Sequence, residues 1–538
     1  MSSARNWLRT CYSDHTGCQR PIASLAPVLP SRVIDTLADN YPDCRLYQAK
    51  SGERAEYACL SYCWGGSQKV TLLRASEYAL YQRIKLSHIG KTIQDAIQVS
   101  REMGLRYLWI DALCIIQDDD DDKLREIGKM KSVYRDATLV IVAACASTSN
   151  SGFLHSRQDP GYDICQVQVL VGEGEEPGIL SVRQEIKSHE LGISHRDERR
   201  EGHPLDTRAW TMQECALATR MLVYSRYEVF WHCGTESIKP VLPSHASEVP
   251  NPLDFPSVSA FRVHAILGKL IEAFRTGQEW LIPWFHLLSE YTRRDMTDPR
   301  DALHALAGIA EHVQNITGQC YLYGLWEEYI DIGLCWFSEC EKLPLYEQAF
   351  TDRTRVAPSW SWAGMRNYES VTLKPTSKIV SKITILEIPF LSHFSSTPDK
   401  TSNIIASSNK CGTSVAAICP LKLCGILWPF ATSSLQFEEG FSTPIWKNDE
   451  IWTHYFDFDW EKVTERGNGS GVIGAELFYL YIGTAGTRRN TYEIKLILNP
   501  DGKGMFRRVG IAQALRSDFE YGKDLPCPDL EPIPLWLY

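Results

Sequence analysis

Three short, largely apolar runs punctuate the first third of the chain: YACLSY at 57–62, RYLWID at 106–111 and TLVIVAA at 138–144. Between them apolar positions recur at helical spacing. Ile93, Ala96, Ile97 and Met103 share one side of a segment that opens at Thr92, and Ile127, Met130, Tyr134 and Ala137 form a second stripe after a run of aspartates. Strands without a polar face belong to a parallel sheet covered on both sides, so the alternation predicts an α/β unit with strands at 58–62, 106–111 and 138–144. Thr92 and Asp95 have the spacing of a capping box, Gly104 is placed to end that helix, and 75–84 has weak helical character. One helix is expected to follow the aspartates. Another opens near Asp206 or Thr207 and carries Arg208, Trp210 and Glu214, after which MLVYS and YEVFWHC read as strands that finish the sheet.

The same pattern divides the rest of the chain. Residues 1–45 read as a polar, irregular N-terminal arm and 46–235 as the α/β unit. Within that unit 150–205 is an insertion holding an alternating QVQVLV, a GEGEEPG turn and a short LSV strand. A Pro- and Ser-rich linker is expected at 236–259, a helical region at 260–355, and a β-rich C-terminal region at 356–538.

Composition removes several function classes. With 56 basic against 66 acidic residues the formal charge is −10, which disfavours general nucleic-acid binding. No apolar run approaches the roughly 18 to 20 residues of a membrane helix, and the opening MSSARNWLRT leads into no signal-peptide core, so no membrane span is expected. Seventeen scattered cysteines, an odd number, suit a reduced, cytoplasmic protein with free thiols.

Ligands of parallel sheets bind at the carboxyl ends of the strands, which makes the strand exits the place to look for chemistry. Ser61, Tyr62, Cys63, Trp64, Gly65 and Gly66 form one exit, whose glycine backbone suits either close approach to a phosphate or a tight packing turn. Asp111 ends the second strand and could hold a ribose hydroxyl or cap the next turn. Glu214 follows Trp210 by one helical turn; a carboxylate against an aromatic wall suits an oxocarbenium-like transition state, while the plain alternative is an ion pair with Arg208 or Arg220. The run Asp118 to Asp122 reads as a solvated helix start rather than a cation loop, and Cys114 as a buried thiol rather than a nucleophile. Cys11, His15 and Cys18, or His232 with Cys233, do not have a recognised four-ligand spacing, so no metal is expected.

YACLSYCWGG, LWIDALCIIQDDDDDKLREIGKMKSVYRDATLVIVAA and PLDTRAWTMQE occur in the order of the motifs of the fungal heterokaryon-incompatibility (HET) domain, which 46–235 resembles. TDPRDALHALAGI, YLYGLWEEYIDIGLCWF and APSWSWAGM look like segments that commonly follow it in large fungal proteins. The resemblance implies a role in nonself recognition that ends in growth arrest or cell death. More distantly, the family is similar to Toll/interleukin-1 receptor (TIR) domains, which have a flavodoxin-like, mostly parallel sheet flanked by helices and in several cases cleave NAD. Leu60-Ser61-Tyr62 looks like their first-strand box, and Trp210 to Glu214 has the spacing of their tryptophan and catalytic glutamate. The insertion at 150–205 and Thr211, where a cysteine is usual, are departures.

This likeness implies NAD as substrate, no tightly bound cofactor, Glu214 as the catalytic carboxylate, and Ser61, Tyr62, Trp64, Gly65, Gly66, Asp111, Arg208 and Trp210 as nucleotide-contacting residues. The competing expectations are a non-enzymatic module that signals by oligomerising with its own copies or an incompatibility partner protein, and an accessory role in another fungal pathway.

Overall fold

In the computed structural model, the residues described are 2–18, 26–37, 42–156, 164–169, 178–183, 203–226, 229–235, 237–238, 259–338, 357–364, 371–372, 379–381, 383–387, 421–425, 427–431, 445–447, 451–456, 476–487, 490–500, 505–516 and 532–537. They fall into two compact units, 1–265 and 266–538.

The N-terminal unit is built on strands β1 (Arg32–Asp35), β2 (Arg45–Gln48), β3 (Tyr57–Ser61), β4 (Tyr107–Trp109) and β5 (Leu139–Val142), a separate hairpin β6 (Ile164–Val169) and β7 (Gly178–Arg183), and β8 (Arg220–Tyr224), β9 (Val229–Cys233) and β10 (Ser237–Ile238). Eight of them form one sheet in the order β10-β9-β8-β5-β3-β4-β1-β2. Its centre, β8-β5-β3-β4, is parallel, as the apolar runs imply, and β3, β5 and β8 are buried at every position. The outer strands pair antiparallel. Numbered along the chain, the four parallel strands lie in the order second, first, third, fourth. The chain therefore winds outward in both directions from β3 and β5, and their carboxyl ends mark the point where the strand order reverses.

Helices α1 (Ser2–Asp14), α2 (Glu77–Gln82), α3 (Lys91–Glu102), α4 (Asp111–Cys114), α5 (Asp120–Ile127), α6 (Met130–Asp136) and α7 (Ala209–Ala216) accompany the sheet. Several expectations change here. Residues 1–45, read as an irregular arm, supply α1 and the sheet strand β1. The single helix expected after the aspartates is two, because α5 stops at Gly128 and α6 restarts at Met130. The acidic run starts α5 as anticipated: Asp119 accepts from the Asp122 N–H at 2.9 Å. Asp122 itself is buried against Arg32 rather than solvated. Thr92 and Asp95 are not a capping box, since α3 begins after Gly90 without a side-chain cap. Instead Thr92 Oγ1 donates to the Thr148 carbonyl (2.8 Å) and Asp95 Oδ2 accepts from the N–H groups of Phe153 (2.7 Å) and Leu154 (3.0 Å). The pair fastens the loop that leaves β5.

The C-terminal unit contains helices Leu281–Thr292 and His304–Thr317 and a ten-stranded sheet whose longest members, Glu476–Thr487, Asn490–Pro500 and Met505–Arg516, are antiparallel neighbours. Its aromatic motifs serve packing. Trp362 Nε1 donates to the Gly324 carbonyl at 2.8 Å, Trp336 Nε1 to that of Trp360 at 3.0 Å, and the Arg508 guanidinium lies 3.5 Å from the Trp336 ring. No helix among the described residues is long and apolar enough to cross a membrane.

Candidate functional site

Period-two alternation along β3 puts Tyr57, Cys59 and Ser61 on one face of the sheet. That face belongs to α6, because the Tyr57 hydroxyl donates to the Val133 carbonyl at 2.8 Å and Cys59 Sγ approaches the same oxygen at 3.5 Å. Helix α7 packs against β3 and α6, and it brings Glu214 beside Ser61. A residue 153 positions away in sequence is thus returned to the exit of the first central strand. Arg208, at the position that caps α7, donates from Nη1 to the Tyr62 carbonyl at 2.5 Å. The third strand exit is tied in as well: the Ala143 N–H donates to the Ser61 carbonyl (2.9 Å) and the Ser149 N–H to that of Trp64 (3.1 Å).

The Trp64 loop turns because Gly65 and Gly66 take φ of +64° and +111°. At Gly65 packing adds to the requirement, for a Cβ there would stand 2.4 Å from Thr148 Cγ2 and 2.7 Å from its Cα. The turn sends the Trp64 indole to Asp111, with Nε1 donating to Oδ2 at 2.8 Å, while Asp111 Oδ1 accepts from the Ala112 N–H at 2.7 Å. The Ala112 bond realises the local-turn reading of Asp111, and the Trp64 bond ties this side chain to the loop that leaves β3. Trp64, Asp111, Arg208 and Trp210 are half-buried and Gly65 and Gly66 exposed, whereas Ser61, Tyr62 and Glu214 are buried.

Electrostatically the interior of this cluster is unsettled. Burial drives the Glu214 carboxyl up to about 7; Arg208 opposes that, the Ser61 hydroxyl opposes it further, the Asp111 charge adds to it, and the Tyr134 hydroxyl offsets part. Burial likewise raises Asp111 against the pull of Arg208 and the Trp64 hydrogen bond. Ser61 Oγ lies near enough to influence Glu214, yet it closes no hydrogen bond of ordinary geometry, and neither does the Tyr62 hydroxyl that faces Asp111. Among the described residues no ion pair closes on Glu214. The alternative pairing with Arg220 does not occur: Arg220 donates from Nε to Cys11 Sγ (3.1 Å) and from Nη2 to the Cys18 carbonyl (2.6 Å). Perturbed carboxyls and unpartnered hydroxyls gathered at one strand exit make these residues the candidate site.

Cys114 is fully buried and its thiol is pushed up to about 12 by burial, as suits an inert core residue. The cysteines and histidine whose sequence spacing suggested no metal are another matter. The fold gathers Cys11, His15, Cys18 and Cys233 so that their ligand atoms lie within 4.8 Å of one another. Spacing could not reveal this, because the fourth member arrives from the opposite end of the unit.

Residues 57–214 match the family described as heterokaryon incompatibility protein (HET). The chain is also similar to heterokaryon incompatibility protein 6, OR allele, of Neurospora crassa, with 27% identity over 106 residues. That match covers 18% of this chain and 16% of the relative's length. No solved structure matches the chain. The matched segment begins at the first residue of β3 and ends at Glu214, so it holds both the glycine turn and the buried carboxylate. Residues 57–214 of this chain are a HET domain.

Proposed function

We propose that this protein acts in fungal heterokaryon incompatibility and that its HET domain hydrolyses the N-glycosidic bond of NAD at the carboxyl ends of β3 and β5. The observation that carries the reading is Glu214: 4% exposed, with its carboxyl raised to about 7 and no ion pair among the described residues to neutralise it. The strand order supports it too, since a doubly wound sheet of the flavodoxin and TIR kind binds nucleotides where its order reverses.

In this mechanism the bond between ribose C1′ and the nicotinamide nitrogen breaks with its electron pair going to nicotinamide. The ribosyl cation is stabilised by the Glu214 carboxylate, whose charge counts for more in a low dielectric. Water then adds to C1′ and gives ADP-ribose and a proton. Trp64 and Trp210 at the rim stack on a ring, Asp111 holds a ribose hydroxyl, Ser61 and Tyr62 contact the ribose, and Arg208 with the Gly65–Gly66 backbone faces the pyrophosphate.

The test is release of nicotinamide from NAD by the full chain at high protein concentration. Glu214→Gln should lower the rate by roughly 10² to 10⁴. Because the carboxylate is the working form, wild-type activity should climb as pH rises through about 7. Turnover by Glu214→Gln equal to wild type would exclude the assignment. One observation favours a second reading, a non-enzymatic module that signals by assembling with its own copies or a partner: Ser61, Tyr62 and Glu214 are all sealed from solvent. That reading expects no nicotinamide release and a self-association unchanged by Glu214→Gln.

A further inference from the structure

Outside the HET segment, the end of α1 and the short turn after it approach the end of β9. Cys11 lies in the last turn of α1, His15 follows the helix, Cys18 closes the turn Thr16–Cys18, and Cys233 is the final residue of β9. Three of the four are buried and His15 is half-buried. Cys233 Sγ is 3.3 Å from His15 Nδ1, and all four ligand atoms lie within 4.8 Å of one another. None of the three cysteines is in a disulfide. In tetrahedral zinc coordination, with Zn–S of about 2.3 Å, neighbouring sulfurs stand about 3.7 Å apart, so these side chains need contract by no more than about 1 Å.

The surroundings fit a metal thiolate. Arg220 donates from Nε to Cys11 Sγ at 3.1 Å while its other end is fixed on the Cys18 carbonyl (2.6 Å) and its guanidinium lies 4.5 Å from the Tyr12 ring. Thr235 Oγ1 lies 3.3 Å from Cys18 Sγ. Three thiolates and one imidazole around a divalent ion carry a net charge of −1, and the Arg220 guanidinium balances it.

We propose that Cys11, His15, Cys18 and Cys233 bind one zinc ion. Four protein ligands complete the tetrahedron and leave no position for water or substrate, so the site is structural. Its ligands come from both sides of residues 57–214, and the ion locks the N-terminal helix onto the strand that follows the HET segment. Binding displaces the thiol protons to solvent and changes no oxidation state.

Zinc content of the full chain, purified without added metal and measured by inductively coupled plasma mass spectrometry, should be about one ion per chain. Cys233→Ser should lower it to about a tenth, His15→Cys should retain it, and Cys320→Ser, in the other unit, should leave it unchanged. Exchange of wild-type protein into Co²⁺ gives a readout that does not depend on a variant folding: thiolate-to-cobalt charge-transfer absorption with intense tetrahedral d–d bands. A metal-free wild-type chain that develops no such bands, or zinc that persists in Cys233→Ser, would overturn the proposal.

Discussion

Two buried carboxylates of the N-terminal unit live under opposite rules. Asp122, 1% exposed, meets Arg32 of β1 and accepts from the Ile116 N–H at 2.9 Å and from Arg125 at 2.8 Å. Burial alone would raise its proton affinity, but the Ile116 N–H and the Arg32 guanidinium more than reverse that and hold it below the usual carboxylate range. Asp35, fully buried on the same strand, is met by Arg106 through two 2.8 Å hydrogen bonds. Glu214 is almost as deeply buried and is raised to about 7 instead. The fold can neutralise buried charge completely where charge serves cohesion. At the exit of β3 it leaves Glu214 without an ion partner among the described residues, and the proposed cation stabilisation rests on that difference.

The sharpest way to break this contrast is to remove the partner of the settled carboxylate. Arg32→Ala should destabilise the N-terminal unit by about 3 kcal/mol, seen as a lower urea midpoint, because it leaves the buried Asp122 with only the Ile116 N–H and the exposed Arg125 as partners. A loss near zero would mean that Asp122 is as unsettled as Glu214. The reverse sign is expected for Glu214→Gln. With an unfolded value of 4.5 and a folded value of about 7, the folded state holds the extra proton between those limits, so wild-type stability falls as pH rises through that window. Above it the loss amounts to about 3 kcal/mol. Glu214→Gln should therefore raise the urea midpoint at pH 8 and leave it unchanged near pH 4; equal effects at both pH values would contradict the raised carboxyl.

Smaller changes probe what positions the two regions. Gly65→Ala should cost about 2 kcal/mol, because it combines a positive φ with a Cβ against the Thr148 backbone, whereas Gly66→Ala, with φ of +111° but open space around it, meets backbone strain alone. Similar unfolding midpoints for the two variants would show that the clash at Thr148 relaxes freely. Asp95→Ala, which frees the loop leaving β5, should cost about 1 to 2 kcal/mol and speed hydrogen exchange at the Phe153 and Leu154 amides while leaving Asp35 and Arg106 undisturbed.

Much of the sheet was legible from polarity alone. The apolar runs expected at 58–62, 106–111 and 138–144 are strands at Tyr57–Ser61, Tyr107–Trp109 and Leu139–Val142, and Ile164–Val169, which holds the QVQV of the alternating run, pairs with Gly178–Arg183, which holds LSV. Strand β1 escaped notice because Arg32 and Asp35 give it the polarity of a loop. In the fold Arg32 is paired with Asp122 and Asp35 with Arg106, across 90 and 71 residues. The misread Thr92–Asp95 pair has the same cause. Its spacing matches a cap, but its true partners lie 56 to 60 residues away.

By itself, then, the sequence determined which segments are buried strands and helices, where their exits fall, and which family the ordered motifs belong to, because burial and backbone preference are written in local patterns of side-chain polarity. Only the tertiary structure decided that Glu214 returns to Ser61 without an ion partner among the described residues, and that Cys233 joins Cys11, His15 and Cys18. Those outcomes depend on through-space distance between residues far apart in the chain. Proton affinity and metal geometry both vary steeply with that distance, and no local pattern encodes it.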